Sequence, residues 1–254
     1  MKFNPQKCHI MSIRKKTDYF YSLCNEFLKS ASVTPYLGVM ISDDLKWQPH
    51  IKGIAKKANS TLGFLRRNLR HFPRPCKRTA YISLVRSSIE YASVVWDPYK
   101  QKDVDTLESI QHRAARFITG DYRSRNTGCV TEMLRSLNLP SLQDRRQDKR
   151  LSLLSRVVEG SVPGLPPVNF IKEHNQNKRK ITPKQYSDCV TSNIIIRSAR
   201  KNSKALEVPQ GKTEEFRNSF FVKTVVDWNN LSDEYVQTKF HGQASPSCEN
   251  SRKF

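Results

Sequence analysis

The residues best equipped for chemistry are two adjacent carboxylates, Asp43-Asp44, and a row of cations, Lys52, Lys56, Arg66, Arg67 and Arg70. Adjacent carboxylates at the end of a strand can hold two divalent metals for phosphoryl transfer. Here the preceding run ends in Ile41-Ser42, and Leu45-Lys46-Trp47-Gln48-Pro49 leads directly into a helix, with no third carboxylate and no second strand to fix the pair. The context predicts a turn or cap. No GxSxG elbow, Walker loop GxxxxGKS/T or HExxH helix occurs. The histidines (His9, His50, His71, His112, His174, His241) stand singly, and the cysteines (Cys8, Cys24, Cys76, Cys129, Cys189, Cys248) show neither CxxC nor zinc spacing. Reduced thiols, no metal site and no cofactor are the expectation.

The cation row is more informative. At about 100° per residue, Ile51, Ile54, Ala55, Ala58, Leu62, Leu65 and Leu69 fall within roughly 100° of arc, a core stripe. The five cations fall along one flank of it with Asn59 and Gly63, and Lys57 alone lies on the other side. A helix rising about 1.5 Å per residue makes this row about 30 Å long, and the glycine lets a backbone come close. Such a ridge suits a phosphodiester strand; it also suits a solvated face. Between residues 45 and 89 there are 11 Lys and Arg and no Asp or Glu. A solvated helix ordinarily mixes both signs, so composition favours phosphate contact.

The whole chain carries the same bias. Of 254 residues, 44 are Lys or Arg and 23 Asp or Glu, a formal charge of +21, which calls for a polyanionic partner, nucleic acid first. No apolar run approaches the roughly 18 residues of a membrane span, and no signal-peptide core follows Met1. The expectation is an intracellular chain, in nucleus or cytoplasm, with neither membrane nor small-molecule partners.

The elements that must position these residues suggest an α+β, mainly α fold. Residues 1–46 read as a small antiparallel sheet, with strands near 8–13, 19–23 and 36–41. Residues 47–160 change to a 3.6-residue period and predict a helical bundle. Its second helix, after Pro73–Pro75, turns Ala80, Tyr81, Leu84, Val85, Ser88 and Tyr91 inward. Asp97-Pro98 reads as the start of the third, which buries Val104, Leu107, Gln111, Ala114 and Ile118 and turns His112, Arg113 and Arg116 outward. A short helix buries Val130, Met133, Leu134 and Leu137. Ser141-Leu142-Gln143-Asp144 has capping-box spacing and opens a helix to about residue 159. In it Arg145, Arg146, Lys149 and Arg150 serve either as ion pairs, with Asp144 and Asp148 at hand, or as ligand contacts. The Gly/Pro-rich stretch 160–167 predicts the domain boundary. Residues 161–212 read as a basic, partly disordered linker, 213–240 as a helix packing back on the bundle through Phe216, Phe220, Phe221, Val225, Trp228 and Leu231, and 241–254 as a disordered tail.

The run Tyr36-Leu37-Gly38-Val39-Met40-Ile41-Ser42-Asp43-Asp44-Leu45-Lys46-Trp47, with Lys57-Ala58-Asn59 and Leu62-Gly63-Phe64-Leu65-Arg66-Arg67-Asn68-Leu69, resembles the region after the palm in reverse transcriptases of non-LTR (LINE-type, jockey- or CR1-like) retrotransposons. So do Ser83-Leu84-Val85-Arg86, Glu90-Tyr91-Ala92-Ser93-Val94-Val95-Trp96-Asp97-Pro98, Gln111-His112-Arg113-Ala114-Ala115-Arg116-Phe117, Leu142-Gln143-Asp144-Arg145-Arg146 and the run from Ser219 through Phe220-Phe221 to Asp227-Trp228-Asn229-Asn230-Leu231. These short motifs stand in the family's order along nearly the whole chain. The resemblance implies that Asn4-Pro5-Gln6-Lys7 lies beside an incoming nucleotide, with Lys7 on the pyrophosphate side. It implies that Tyr36-Leu37-Gly38 is a primer-grip turn, and that the helices from Pro49 onward are a thumb on RNA, DNA or an RNA–DNA hybrid. Arg113 and Arg116 join the cation row as expected contacts.

The departures from the family pattern are equally specific. The fingers, the first palm aspartate and the aromatic-Ala-Asp-Asp turn that hold two metals in this family would precede Met1, and nothing here replaces them. The resemblance therefore implies a truncated C-terminal piece without catalytic aspartates, for which Mg2+ belongs to the full-length parent alone and Lys7 has nothing to assist. The alternative is a domesticated nucleic-acid-binding or protein-interaction module without a polymerase role, which an exposed Phe/Trp face over residues 216–231 would favour.

Overall fold

The computed structural model describes residues 4–13, 20–166, 171, 204–236 and 238–239. The expected strand start at Tyr19, most of the expected linker 161–212 and the expected tail 241–254 lie outside the described residues. The fold is α+β and mainly α. It divides into two compact units, Met1–Gln147 and Asp148–Phe254. The division falls inside a helix rather than at the 160–167 stretch, because that helix serves a different apolar core at each end.

In the first unit the strands pair as three separate two-stranded ladders rather than one antiparallel sheet. β1 (His9–Ile10) pairs in parallel with β4 (Lys29–Ser30), and β2 (Ser22–Leu23) pairs antiparallel with β3 (Glu26–Phe27) across Cys24-Asn25, both at positive φ. Runs of two residues offer no continuous apolar face, so nothing draws the ladders into one sheet. β5 (Val33–Tyr36) and β6 (Val39–Ser42) form the most regular hairpin, with Tyr36 opposite Val39. Its two turn residues, Leu37 and Gly38, have φ of 46° and 82°, the double left-handed geometry that matches strand twist.

Helix α1 (Gln48–Asn68) follows, with Pro49 in its first turn. Ile51, Ala55, Ala58, Leu62 and Leu65 are buried and Ile54 and Leu69 pack beside them, as the periodicity predicts. Complete burial of Ile51, Leu62 or Leu65 is worth about 1.5–3 kcal/mol each. α1 packs against α5 (Gln101–Thr119) and against the next helical stretch. That stretch runs through α2 (Arg74–Ala80), a π-helical segment (Tyr81–Arg86) and α3 (Ser87–Glu90). The wider winding, with Ser87 N–H donating to Ile82 O, shifts the phase. Tyr81, Val85 and Ile89 are buried, while Leu84 and Tyr91, expected inward, are 53% and 56% exposed.

Asp97-Pro98 does not start a helix. A single turn, α4 (Ser93–Trp96), precedes it, and α5 begins only at Gln101 with Lys100 as its cap. Asp97 is instead buried against Arg146. In α5, Val104, Leu107, Gln111, Ala114 and Ile118 are all buried as expected. Gln111 accepts from the Tyr81 hydroxyl (3.0 Å) and donates to Pro140 O (2.9 Å), so its burial leaves no polar atom stranded. α6 (Cys129–Ser136) buries Met133 with Leu134 and Leu137 half-buried. α7 (Leu142–Val158) opens with the Ser141 hydroxyl accepting from Asp144 N–H at 3.0 Å, as its spacing predicts.

The second unit gathers Leu151, Leu154, Leu206, Val225, Trp228 and Val236 into its own core. The single helix expected within residues 213–240 is α8 (Glu214–Arg217), capped by Thr213, then α9 (Phe220–Asn229). Ser219, extended before α9, interrupts the run. α10 (Asp233–Val236) follows. The Trp228 indole donates to Lys204 O (3.0 Å), and Asn229 exchanges two 2.8 Å bonds with the backbone of Leu206. Arg150 donates to Thr224 Oγ1 (3.2 Å) and Asp227 Oδ2 (2.9 Å).

Candidate nucleic-acid interface

The carboxylate pair resolves as a turn. Ser42 Oγ lies 2.6 Å from Asp44 Oδ1 and 2.7 Å from Lys46 O, and Lys46 N–H donates to Asp44 Oδ1 at 3.0 Å. The Ser42 hydroxyl and then the Lys46 N–H hold the Asp44 carboxyl below the usual carboxylate range. Asp43 N–H donates to Ser32 O. Asp44 therefore closes the turn that leads from β6 toward α1, and the Asp43 backbone ties the end of β6 to the residue before β5. The Asn4-to-Lys7 turn is likewise self-contained: Asn4 Oδ1 caps it by accepting from Gln6 N–H (3.0 Å), and Lys7 is exposed. Among the described residues no three His, Cys, Asp or Glu side chains gather as a metal ion needs.

All five cations of the row, Lys52, Lys56, Arg66, Arg67 and Arg70, are exposed. None has an acidic partner among the described residues. α1 ends at Asn68, so Arg70 sits in the following turn, and the helical part of the row, Lys52 to Arg67, is about 22 Å long at 1.5 Å per residue. Arg67 folds back along the glycine gap, its Nη1 3.7 Å from where a Gly63 Cβ would stand. The Arg66 guanidinium lies over the Tyr122 ring, 5.3 Å from its centroid.

Most other prominent arginines of the first unit are occupied internally. Arg78 donates to Leu137 O (2.7 Å), closing the end of α6. Arg116, expected to face outward, is half-buried and donates to Ser124 O (3.0 Å) and Asp121 O (3.4 Å); the carbonyls of the loop after α5 draw it in. Arg113 is exposed but folds onto its own helix at Ser109 O (3.1 Å). The arginines of α7 resolve as structural ion pairs, with remote acids rather than Asp144 and Asp148. Arg145 binds both oxygens of Glu90, and Arg146 Nε binds Asp97 Oδ1 at 2.9 Å, both groups buried.

The hairpin tip is held by residues whose role sequence spacing does not disclose. Tyr36 and Leu37 are 63% and 75% exposed at the tip. The Tyr91 hydroxyl donates to Leu37 O at 3.0 Å, and its ring lies 3.2 Å from where a Gly38 Cβ would stand. Glycine at 38 thus answers both a positive φ and a close approach. Tyr91 is itself fixed, because the Trp96 indole donates to Tyr91 O (2.8 Å) and Ala92 turns left-handed (φ 49°) to break the helix there. At the hairpin base Met40 N–H donates to His50 Nδ1 (3.1 Å), and His50 packs edge-on against Trp96. Burial pushes the His50 pKa down, keeping the imidazole neutral as this acceptor role requires. A chain of contacts through His50, Trp96 and Tyr91 thus ties the exposed tip to the helix that bears the cations.

No protein-family model, curated protein or solved structure matches the chain.

Proposed function

We propose that the first unit grips the sugar-phosphate backbone of a nucleic acid, as the thumb and primer-grip portion of a polymerase resembling non-LTR retrotransposon reverse transcriptases. The carrying observation is the sorting of its cations: five along α1 and the turn after it stand exposed without acidic partners among the described residues, while Arg78, Arg116, Arg145 and Arg146 are turned to internal acceptors. The tip residues Tyr36, Leu37 and Gly38 then lie on the same rigid piece as the ridge. The Asp43-Asp44 pair is engaged in the turn after β6, so this reading assigns the first unit binding of the strand and no metal-dependent step. The apolar face of α9 bearing Val225 and Trp228 is buried within its own unit, so those side chains are not offered to a protein partner.

Binding to an RNA–DNA hybrid, followed by fluorescence anisotropy at 50–200 mM salt, tests this reading. Five phosphate contacts at a slope of about −0.9 each predict a loss of about 500-fold across that range, taking B-DNA as the guide. A variant with Lys52, Lys56, Arg66, Arg67 and Arg70 all replaced by Gln should bind weakly and almost independently of salt, with unchanged circular dichroism. Equal affinity and equal slope in parent and variant would refute the reading.

A further inference from the structure

Tyr122 stands in the loop between α5 and α6 that connects two helices and has no assigned role. We propose that its ring is a stacking platform for an unpaired nucleobase at the Arg66 end of the ridge. The Arg66 guanidinium covers one face, 5.3 Å from the centroid, while Tyr122 keeps 46% of its surface open. Its hydroxyl has no hydrogen-bond partner among the described residues, so the Arg66 contact is the one interaction the ring itself makes there. Arg123 and Arg125 beside it are exposed and lack acidic partners among the described residues. A half-exposed aromatic ring flanked by cations is the combination that single strands use, phosphates on the charges and a base on the ring.

The loop is held ready for such a task. Arg116 reaches into it to bond Asp121 O and Ser124 O, and the Asp121 carboxylate accepts from Arg123 N–H and Ser124 N–H, each at 3.0 Å. Asp121 N–H in turn donates to Thr119 Oγ1 at 3.3 Å. A loop whose backbone is held before the ligand arrives loses less freedom on binding. Inside a duplex both faces of each base are covered, and at a blunt end the open face belongs to a base locked in its pair, so the platform favours a hybrid with an unpaired extension, whose base can swing onto the ring. This inference rests on the nucleic-acid reading above and adds the ligand feature that the ridge alone does not select.

The test compares a blunt RNA–DNA hybrid with the same hybrid carrying a short unpaired extension, its first unpaired base replaced by 2-aminopurine. The parent should bind the extended hybrid more tightly and quench the 2-aminopurine. Tyr122→Leu should remove that preference, by about 5- to 150-fold in affinity, and the quenching with it, while Tyr122→Phe keeps both. Blunt-hybrid affinity and its salt slope should be the same in all three proteins. A Tyr122→Leu protein that keeps preference and quenching, or a parent showing neither, overturns the stacking platform while salt-dependent blunt binding leaves the ridge standing. A parent that binds neither hybrid overturns both.

Discussion

Removing the Asp97 carboxylate should be far costlier than removing the whole ion pair to which it belongs. Arg146 is 1% exposed and Asp97 8%, and the pair meets through Nε and Oδ1 at 2.9 Å. Nη1 and Nη2 of Arg146 have no hydrogen-bond partner among the described residues, so the guanidinium is desolvated without being fully satisfied there. Taking away one member of a buried pair leaves an uncompensated charge and costs about 3–5 kcal/mol, a large share of the roughly 5–15 kcal/mol that holds a typical domain. Asp97→Ala should therefore lower Tm by about 6–20 °C, at roughly 2–4 °C per kcal/mol for a domain of this size. Asp97→Leu combined with Arg146→Met removes both charges and both desolvation penalties, and should return stability to within about 1 kcal/mol of the parent or above it. Urea unfolding followed by tryptophan fluorescence, with Trp96 fully buried in the same unit, compares the parent, the single variant and the double variant. An Asp97→Ala protein within 1 kcal/mol of the parent, or a double variant no better than the single, would refute the argument.

His50 should make stability pH-dependent. Its folded pKa lies below the ordinary 6.5, so the unfolded chain takes up the proton first as pH falls. Stability is then complete above pH 6.5 and declines below it toward the lowered folded pKa. His50→Asn should flatten urea midpoints between pH 7 and pH 5; a parent already flat there would contradict the assignment. At the hairpin tip, Leu37 holds a left-handed φ that costs a non-glycine residue about 1–2 kcal/mol, and it is 75% exposed. Leu37→Asn, which tolerates that geometry, should raise the urea midpoint by the equivalent of about 1 kcal/mol, and a lowered midpoint would show that the turn is not strained as described.

Local periodicity made the core of this protein legible wherever the helix kept its regular pitch. The buried stripe of α1, the five buried positions of α5 and even the polar Gln111 follow from residue spacing, because each depends on a neighbour three or four places away. Between Tyr81 and Arg86 the pitch widens, and a reading at 3.6 residues per turn puts Leu84 and Tyr91 inside when Ile89 takes the inner position. Charged residues were legible only in type. Asp97 before Pro98 has the form of a cap, yet Arg146, 49 positions later, claims it; Arg116 has the form of a surface cation, yet the loop carbonyls draw it in. At the candidate interface the cations could be read from the sequence, but Tyr91, His50 and Tyr122 could not, since their partners lie on other elements.

The widened winding over Tyr81–Arg86 reaches further than the residues it contains. Relative to a regular helix it absorbs about one extra residue, and each residue of an α-helix advances the direction of a side chain by about 100°. Deleting one position from this segment would let it relax to ordinary pitch and swing every side chain downstream, Tyr91 included, a quarter turn or so around the axis. The phenol would then no longer meet the carbonyl of Leu37, and the loop it latches would come loose. The aim of an exposed β-turn is thus set by a miscount in a helix that does not touch it in sequence.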